Sequence, residues 1–541
     1  MQQQIFHFSL FTFHFLLLPL HLETYYQRQM KRLITSIILL AAASITIQAA
    51  KPRSSLTVYT TRKQTVTGFG GACCDGAMKP FGTDNACVSR LYGPKSKIGL
   101  NILRMEISPS FTGDNWGDYD WNGSLPSAKT VKNRGGIVFG TPWSPPGEYK
   151  TNGTAQGGNA DSQGNVRGTL RRDCYEKFFP WLNTFLKWMK DHEVVMDAVS
   201  IQNEPDWWVS YSGCLYEPDS LVSLVKNYAW MLDRESYGGV RLISAEPLGF
   251  TQNYIDPLMK DEECRKQIDI VAGHLYGHMP LKYMKPATAL AAKYGKEVWM
   301  TEHSVTDNID HMPNWYENLI FAQELNECML AGCTGYIYWY LRAHWAFCGT
   351  GQSWTYNGQS INFPENKKDE LLPRAFVMSH FAKNVTGSTR LATSQDDAAG
   401  REKEEVAQDY QFSAYIKGDS IIVMAINTKE DTRDVMINLP YTVKSCSLWQ
   451  STGNETANLC QKSDLDMPEP VNKYLYEMPA RSLNTFIFTI DRGSTAIENV
   501  QQTADGPSTY YDLHGRRIDT PQGLCIEKHA DGTSKTVFVG R

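Results

Sequence analysis

Between residues 66 and 383, short apolar runs alternate with helical stretches eight times. The strand candidates are 67–71, 99–107, 136–143, 197–205, 240–248, 269–277, 297–304 and 335–341. Amphipathic stretches lie between them, such as 171–191, 218–235, 283–294 and 315–331. Strands separated by helices return over the sheet face and so lie parallel. Eight such units read as a closed (β/α)8 TIM barrel of the α/β class. A doubly wound open sheet is the alternative. It calls for a Gly-rich phosphate turn after an early strand, and Phe69-Gly70-Gly71 lacks the full fingerprint.

After residue 387 the period changes. The runs 410–417, 420–427, 432–438, 445–450 and 482–490 are short alternating strands separated by turn residues, which predicts a side β-sandwich of roughly 100 residues. The stretch 56–61, ahead of the barrel, is expected to pair with it. The chain therefore divides into 1–50, a leader; 51–66, a sandwich strand; 67–386, the barrel; 387–492, the sandwich; and 493–541, a linker and tail.

The leader is read from residues 30–50. Lys31 and Arg32 precede an apolar stretch over 33–47, and Ile47-Gln48-Ala49 resembles a cleavage site. Residues 5–22 are also apolar but lack a basic flank, so Met30 is expected to be the start and 1–29 an extension; a membrane hairpin is the alternative. No later run reaches the roughly 18 apolar residues a span requires. The mature chain is expected to have no membrane span, to be secreted, periplasmic or surface-held, and to be a monomer.

Composition removes other classes. The 53 basic and 58 acidic side chains leave −5, without the basic surplus that nucleic acid requires. Twelve Cys scatter with no CxxC or HxxxH pattern, so neither a metal site nor a cofactor is expected. Cys446 and Cys460 are candidates to bridge a loop; Cys73-Cys74, Cys328 and Cys333 read as buried small residues. Aromatics reach 12%, with 14 Trp and 27 Tyr, which suits either sugar stacking or a large core.

Barrel chemistry gathers at the C-terminal ends of strands. Those ends carry Arg104 and Glu106, Trp143, Gln202-Asn203-Glu204-Pro205, His274 and Tyr276, Thr301-Glu302-His303, and Trp339 with Arg342. Glu204 and Glu302 each follow an apolar strand directly, where a charge is costly unless it faces the barrel mouth. A pair of acids flanking a cleft is the requirement of glycoside hydrolysis. Arg104 is placed to hold Glu302 ionised and Asn203 to donate to a sugar hydroxyl. A structural Glu–Arg ion pair is the alternative, and Glu106 is the weaker acid candidate.

Six segments in order resemble glycoside hydrolase family 30: GFGGACCDGA at 68–77, TPWSPPGEYKTNG at 141–153, SIQNEPDWW at 200–208, GHLYG at 273–277, VWMTEHS at 298–304 and YIYWYLRAHW at 336–345. The resemblance spans roughly 56–492. It implies a retaining enzyme with Glu204 as acid/base and Glu302 as nucleophile. Asn203, Trp143, His274, Tyr276 and Trp339 would line the subsite of the sugar being cleaved. Trp207, Trp208 and Trp345 are candidates for neighbouring subsites by location. The bacterial xylanase branch is the nearest in motif, which implies endo-β-1,4-xylanase action on a plant-type (glucurono/arabino)xylan. That branch grips a glucuronosyl group with the second of two adjacent Arg residues; here Arg342 precedes Ala343, and Trp345 stands where the branch has Tyr. Asp75 matches the Asp with which the glucosylceramidase branch holds hexose hydroxyls, so a β-1,6-glucan, a β-1,6-galactan or another β-hexoside is the second reading. A barrel that binds glycan without cutting it is the reading of another class. The tail, with YYDLHGRR at 510–517 and GLCI at 523–526, resembles the sorting tails of exported Bacteroidota proteins.

Overall fold

The computed structural model describes residues 53–539 except 74–84, 110–120, 158–167, 278–279, 306–311, 352–353, 357–358, 362–367, 398–408, 493–508, 513–516, 521–522 and 529–533. Asp75, Cys74 and the leader lie outside the described residues.

Eight parallel strands close into a barrel: β2 (Gly68–Cys73), β3 (Ile102–Ile107), β4 (Ile137–Pro142), β5 (Ala198–Ser200), β6 (Arg241–Ile243), β7 (Ile270–His274), β8 (Glu297–Glu302) and β9 (Gly335–Tyr338). β2 pairs with both β3 and β9, so the sheet has no edge and the doubly wound alternative falls. Closure brings β2 against β3 so tightly that a Cβ on Gly70 would sit 1.8 Å from the Ile102 carbonyl oxygen. The interior is packed by Ile102, Phe139, Ile243, Ile270, Trp299 and Ile337, and a larger apolar shell lies between strands and helices.

The helices are α1 (Asn85–Leu91), α2 (Leu125–Asn133), α3 (Tyr175–Asp191), α4 (Pro218–Tyr228), α5 (Gln252–Lys260), α6 (Glu262–Gln267), α7 (Lys285–Lys293), α8 (Trp315–Ala331) and α9 (Pro373–Asn384). α8 runs over the expected residues because both ends are coded locally. Asn314 and Glu317 form a reciprocal capping box, and Gly332 closes the helix at φ 103°. α4 stops seven residues short of the expected 235. The Asn183 side chain on α3 bonds the Met231 carbonyl and the Asp233 N–H, taking backbone groups that a longer helix would use. Among the described residues no helix is long and apolar enough to cross a membrane.

A two-stranded ladder, β10 (Trp354–Tyr356) and β11 (Gln359–Ile361), follows the barrel. The second β region begins with β1 (Arg53–Thr65) and continues through β12 (Thr389–Asp397), β13 (Tyr410–Lys417), β14 (Ser420–Asn427), β15 (Arg433–Ser451), β16 (Gln461–Leu465), β17 (Val471–Met478) and β18 (Ser482–Ile490). The two runs expected at 432–438 and 445–450 are one strand, β15. It bends between Asn438 and Val443, where Pro440 cannot donate to the ladder. Its first half pairs with β1 and β17 and its second with β16 and β18, so one strand joins two sets of neighbours into a single eight-stranded sheet. The region has its own core, including Leu56, Val58, Val423, Val435, Ile437 and Phe486. Cys446 and Cys460 form no bridge: the Cys460 thiol meets Ser379 Oγ on α9, while Cys446 lies within β15. A four-stranded antiparallel sheet occupies Thr509–Tyr511, Arg517–Ile518, Gly523–Lys528 and Ser534–Val539.

Candidate active site

Glu204 follows the fourth barrel strand and Glu302 ends the seventh. The apolar run expected over 197–205 leaves the ladder after Ser200, because the backbone beyond it is claimed by both neighbours. Asn203 N–H donates to the Pro142 carbonyl and Glu204 N–H to the Glu246 carbonyl, at 2.9 and 2.8 Å. Glu204 takes φ 43°, a left-handed conformation that costs a non-Gly residue of order 1–3 kcal/mol and clusters at functional sites. Glu302 reaches the interior by a different device. Trp299 points into the barrel, so strict alternation would send Glu302, three residues on, outward. The register between β7 and β8 slips, Gly273 facing Met300 but His274 facing Glu302. This single bulged residue turns the carboxylate inward.

The two acids meet over His274. One carboxylate oxygen of each and an imidazole nitrogen lie within 4.8 Å of one another, and all three side chains are buried. His274 Nδ1 is 2.9 Å from Glu204 Oε1. Arg104, fully buried, donates through Nη1 to Glu302 Oε2 at 2.5 Å and through Nη2 to Asn203 Oδ1 at 2.7 Å. Tyr276 O–H donates to Glu302 Oε1 at 3.0 Å. Trp143 and Trp339 lie with ring centroids 5.9 Å apart and planes 29° apart, and the Arg104 guanidinium sits 4.6 Å from the Trp143 ring. Gln202 Nε2 holds the Trp143 and Asn203 carbonyls at 2.7 and 2.8 Å.

A third carboxylate, Glu246, was missed in the sequence. It follows the fifth barrel strand, fully buried, 3.1 Å from Arg104 Nη2 and 3.5 Å from His274 Nε2, and accepts from Thr141 Oγ1 at 2.7 Å. The signal was present: Ala245-Glu246-Pro247 repeats the acid-before-proline pattern of Asn203-Glu204-Pro205 one strand later.

These charges set one another. Burial opposes ionisation of Glu246, but Arg104 and His274 overcome it and hold the carboxyl down at about 2. Burial likewise opposes the His274 cation, yet Glu302, Glu204 and Glu246 together raise it to about 9, so the imidazolium carries a proton on both nitrogens at neutral pH. Burial raises Glu302 above its ordinary value and Glu204 adds to the rise, while His274 and Arg104 pull it down. The Tyr276 phenol is pushed far up by burial and by the two carboxylates and stays a donor.

Glu204, His274 and Glu302 are also close enough to consider as metal ligands. Each of the three is already engaged, His274 with Glu204 and Glu302 with the Arg104 guanidinium.

Of the candidate residues, Asn203, Trp143, Tyr276, Trp339 and Arg104 join the two acids and His274. The described contacts of Arg342 and Trp345 lie elsewhere. Arg342 is buried in an ion pair with Asp369. Trp345 is buried, packs edge-on against His344, and its carbonyl accepts from Tyr338 O–H and Arg374. Both follow the last strand in a loop that folds back onto the barrel, which their apolar sequence context did not reveal. Glu106 is partly exposed on β3, whereas Trp207 is 53% exposed three residues beyond Glu204.

The profile of the glycosyl hydrolase catalytic core matches residues 173–329. The glucuronoxylanase XynC of Bacillus subtilis is 25% identical over 400 residues, covering 73% of this chain and 82% of that one. The family 30 subfamily 8 xylanase Xyn30A of Clostridium acetobutylicum superposes with a TM-score of 0.63 at 28% identity, over 80% of this chain and 99% of that one. A family 30 endoxylanase of Clostridium papyrosolvens C71, at 24% identity, shares the fold with a TM-score of 0.63 over 80% and 100%. With two buried carboxylates converging at the mouth of a closed barrel, and these relatives along most of its length, the chain is a glycoside hydrolase similar to the family 30 xylanases.

Proposed function

We propose that the chain is a retaining endo-β-1,4-xylanase acting on (glucurono/arabino)xylan, with Glu302 as nucleophile and Glu204 as acid/base. The carrying observation is the approach of a Glu204 oxygen and a Glu302 oxygen to within 4.8 Å. Retaining enzymes hold their carboxyl groups about 5–5.5 Å apart, and inverting ones about 6.5–9.5 Å to admit a water. In this reading Glu302 attacks the anomeric carbon while Glu204 protonates the leaving oxygen. Water, deprotonated by Glu204, then releases the sugar from Glu302. Arg104 and Tyr276 orient the attacking carboxylate, and His274 holds a proton at its hydrogen bond to Glu204. Trp143 and Trp339 offer flat faces to the sugar. The relatives named as xylanases support the substrate class. Arg342, ion-paired to Asp369 and followed by Ala343, supports cleavage that does not depend strictly on a glucuronosyl group.

The enzyme is further proposed to be exported through the 30–50 leader and to act as a monomer, with 493–541 serving as a sorting tail outside the chemistry. The test is product analysis on glucuronoxylan, arabinoxylan, β-1,6-glucan and β-1,6-galactan, with the anomer followed by NMR. Xylan cleavage giving the β-anomer first is expected, with turnover abolished in Glu302→Gln. Full activity of that variant, or cleavage of a β-hexan alone, overturns the reading.

A further inference from the structure

At the end of the barrel opposite the acids lies a cavity of about 550 Å³ between α9, the turn ahead of β3, and β15 and β16. Four lysines line it, Lys95, Lys97, Lys383 and Lys462, and no Asp or Glu does among the described lining residues. None of the four has an ion-pair partner among the described residues. Elsewhere on the molecule lysines find carboxylates, as Lys132 does Asp197, Lys187 does Asp191 and Lys226 does Asp261. In a chain of net charge −5 this is a concentrated, uncompensated positive field. Lys383 donates to the Pro94 carbonyl at 2.8 Å and is half-buried; burial and the neighbouring Lys462 depress its ammonium below the ordinary value. Like charges are thus held together with no acid among the described lining residues, an arrangement that an anion relieves.

The rest of the lining narrows the anion. The Trp449 ring, with Lys462 Nζ 3.9 Å from its centroid, forms one wall, and the Gln461 amide lies beside it. An aromatic wall with an amide and several ammonium groups suits a sugar bearing a carboxylate better than a bare oxyanion. The volume lies within the roughly 300–1,000 Å³ of ligand pockets and far exceeds what a lone phosphate fills. Lys95 and Lys97 precede β3 and so sit at the N-terminal end of the barrel, whereas Glu204 and Glu302 sit at its C-terminal end. A ligand here cannot be the sugar under cleavage.

We propose that this lysine cavity is an accessory site for uronic-acid groups of an acidic polysaccharide, holding the polymer while the barrel mouth cuts elsewhere along it. The proposal rests on the xylanase reading for the identity of that polymer. The test is affinity electrophoresis of Glu302→Gln, which binds without turnover, with and without Lys97→Glu and Lys462→Glu. The gels carry glucuronoxylan, neutral arabinoxylan or polygalacturonate at low salt, and inorganic phosphate is the competitor. The two charge reversals are expected to weaken retardation by both acidic polymers about tenfold, as two exposed charge contacts allow, and to leave arabinoxylan unchanged. In the active background the reversals should leave turnover of short neutral xylo-oligosaccharides at the parent rate. Equal retardation of parent and variant overturns the proposal, as does loss of binding on equimolar inorganic phosphate, which would mark a free-phosphate site. If the active chain cuts no xylan but the reversals still release polygalacturonate, the xylanase reading fails and the accessory site stands.

Discussion

Arg104 Nη1 lies 2.5 Å from Glu302 Oε2, and the other terminal nitrogen of the same guanidinium lies 3.1 Å from Glu246 Oε2. One buried cation thus serves two carboxylates and, through Asn203 Oδ1, the residue next to Glu204. Removing one partner of a buried charge pair costs about 3–5 kcal/mol, since the remaining charges are left uncompensated. Arg104→Met is therefore expected to lower Tm and to reduce kcat/KM by at least about 100-fold. Arg104→Lys keeps the charge but not the planar fork and should fall between. Thermal melts with reducing-end assays check this, and wild-type turnover in Arg104→Lys would contradict the forked role.

The pH dependence follows from His274. An ordinary His titrates near 6.5, and here the folded value is about 9. A raised basic group stabilises the fold fully below about 6.5, and that contribution is lost as pH rises through about 9. Tm should accordingly decline between those values, and His274→Gln should flatten the decline. Activity should fall on the same alkaline limb, because the neutral ring keeps only one of the two protons that face Glu204 at Nδ1 and Glu246 at Nε2. Melts from pH 6 to 10 alongside a pH–rate profile decide it.

Glu246 acts at the opposite limb. Its folded value of about 2 lies below the ordinary 4.5, so its stabilisation is present above 4.5 and is lost as pH falls toward 2. Glu246→Gln removes one of the three carboxylates that hold His274 charged. The alkaline limb should then move to lower pH and kcat should drop by about tenfold or more. An unmoved limb in that variant would separate Glu246 from the proton balance of the site.

Gly70 tests the closure of the barrel. Its missing Cβ would sit 1.8 Å from the Ile102 carbonyl oxygen, a backbone atom that cannot yield without parting β2 from β3. Gly70→Ala is expected to destabilise by about 3 kcal/mol or more, beyond ordinary overpacking. Soluble yield and denaturant midpoint report it.

Trp207 tests polymer contact outside the cleaved-sugar subsite. It is 53% exposed, so Trp207→Ala should leave Tm unchanged. An expected rise in KM of about fivefold on polymeric xylan, with no change on a short aryl glycoside, would reflect the loss of one stacking surface. Equal effects on both substrates would point to a structural role instead.

The alternation of apolar runs with helices was enough to read the barrel, and the acids directly after its fourth and seventh strands were enough to read the pair. Both are local signals: periodicity reports the element, and a charge after an apolar strand reports a polar destination. α8 was legible to the residue because its cap residues, Asn314 and Gly332, are coded in the chain. α4 was not, because a side chain on α3 ends it. Likewise β15 looked like two strands, since a bend at Pro440 is visible locally but the partners along both of its edges are not.

The tertiary structure alone decided how the site is charged. Glu246 stands 42 residues from Glu204 and 56 from Glu302 in the chain, and only closure of the barrel sets all three against one Arg and one His. A bulge in β8, which no periodicity announces, turns Glu302 inward, and a left-handed Glu204 turns its acid to meet it. Sequence determines which side chains can carry the chemistry, because residue type and strand position are local. Their mutual distances fix the proton affinities, and those distances come from packing between segments far apart in the chain.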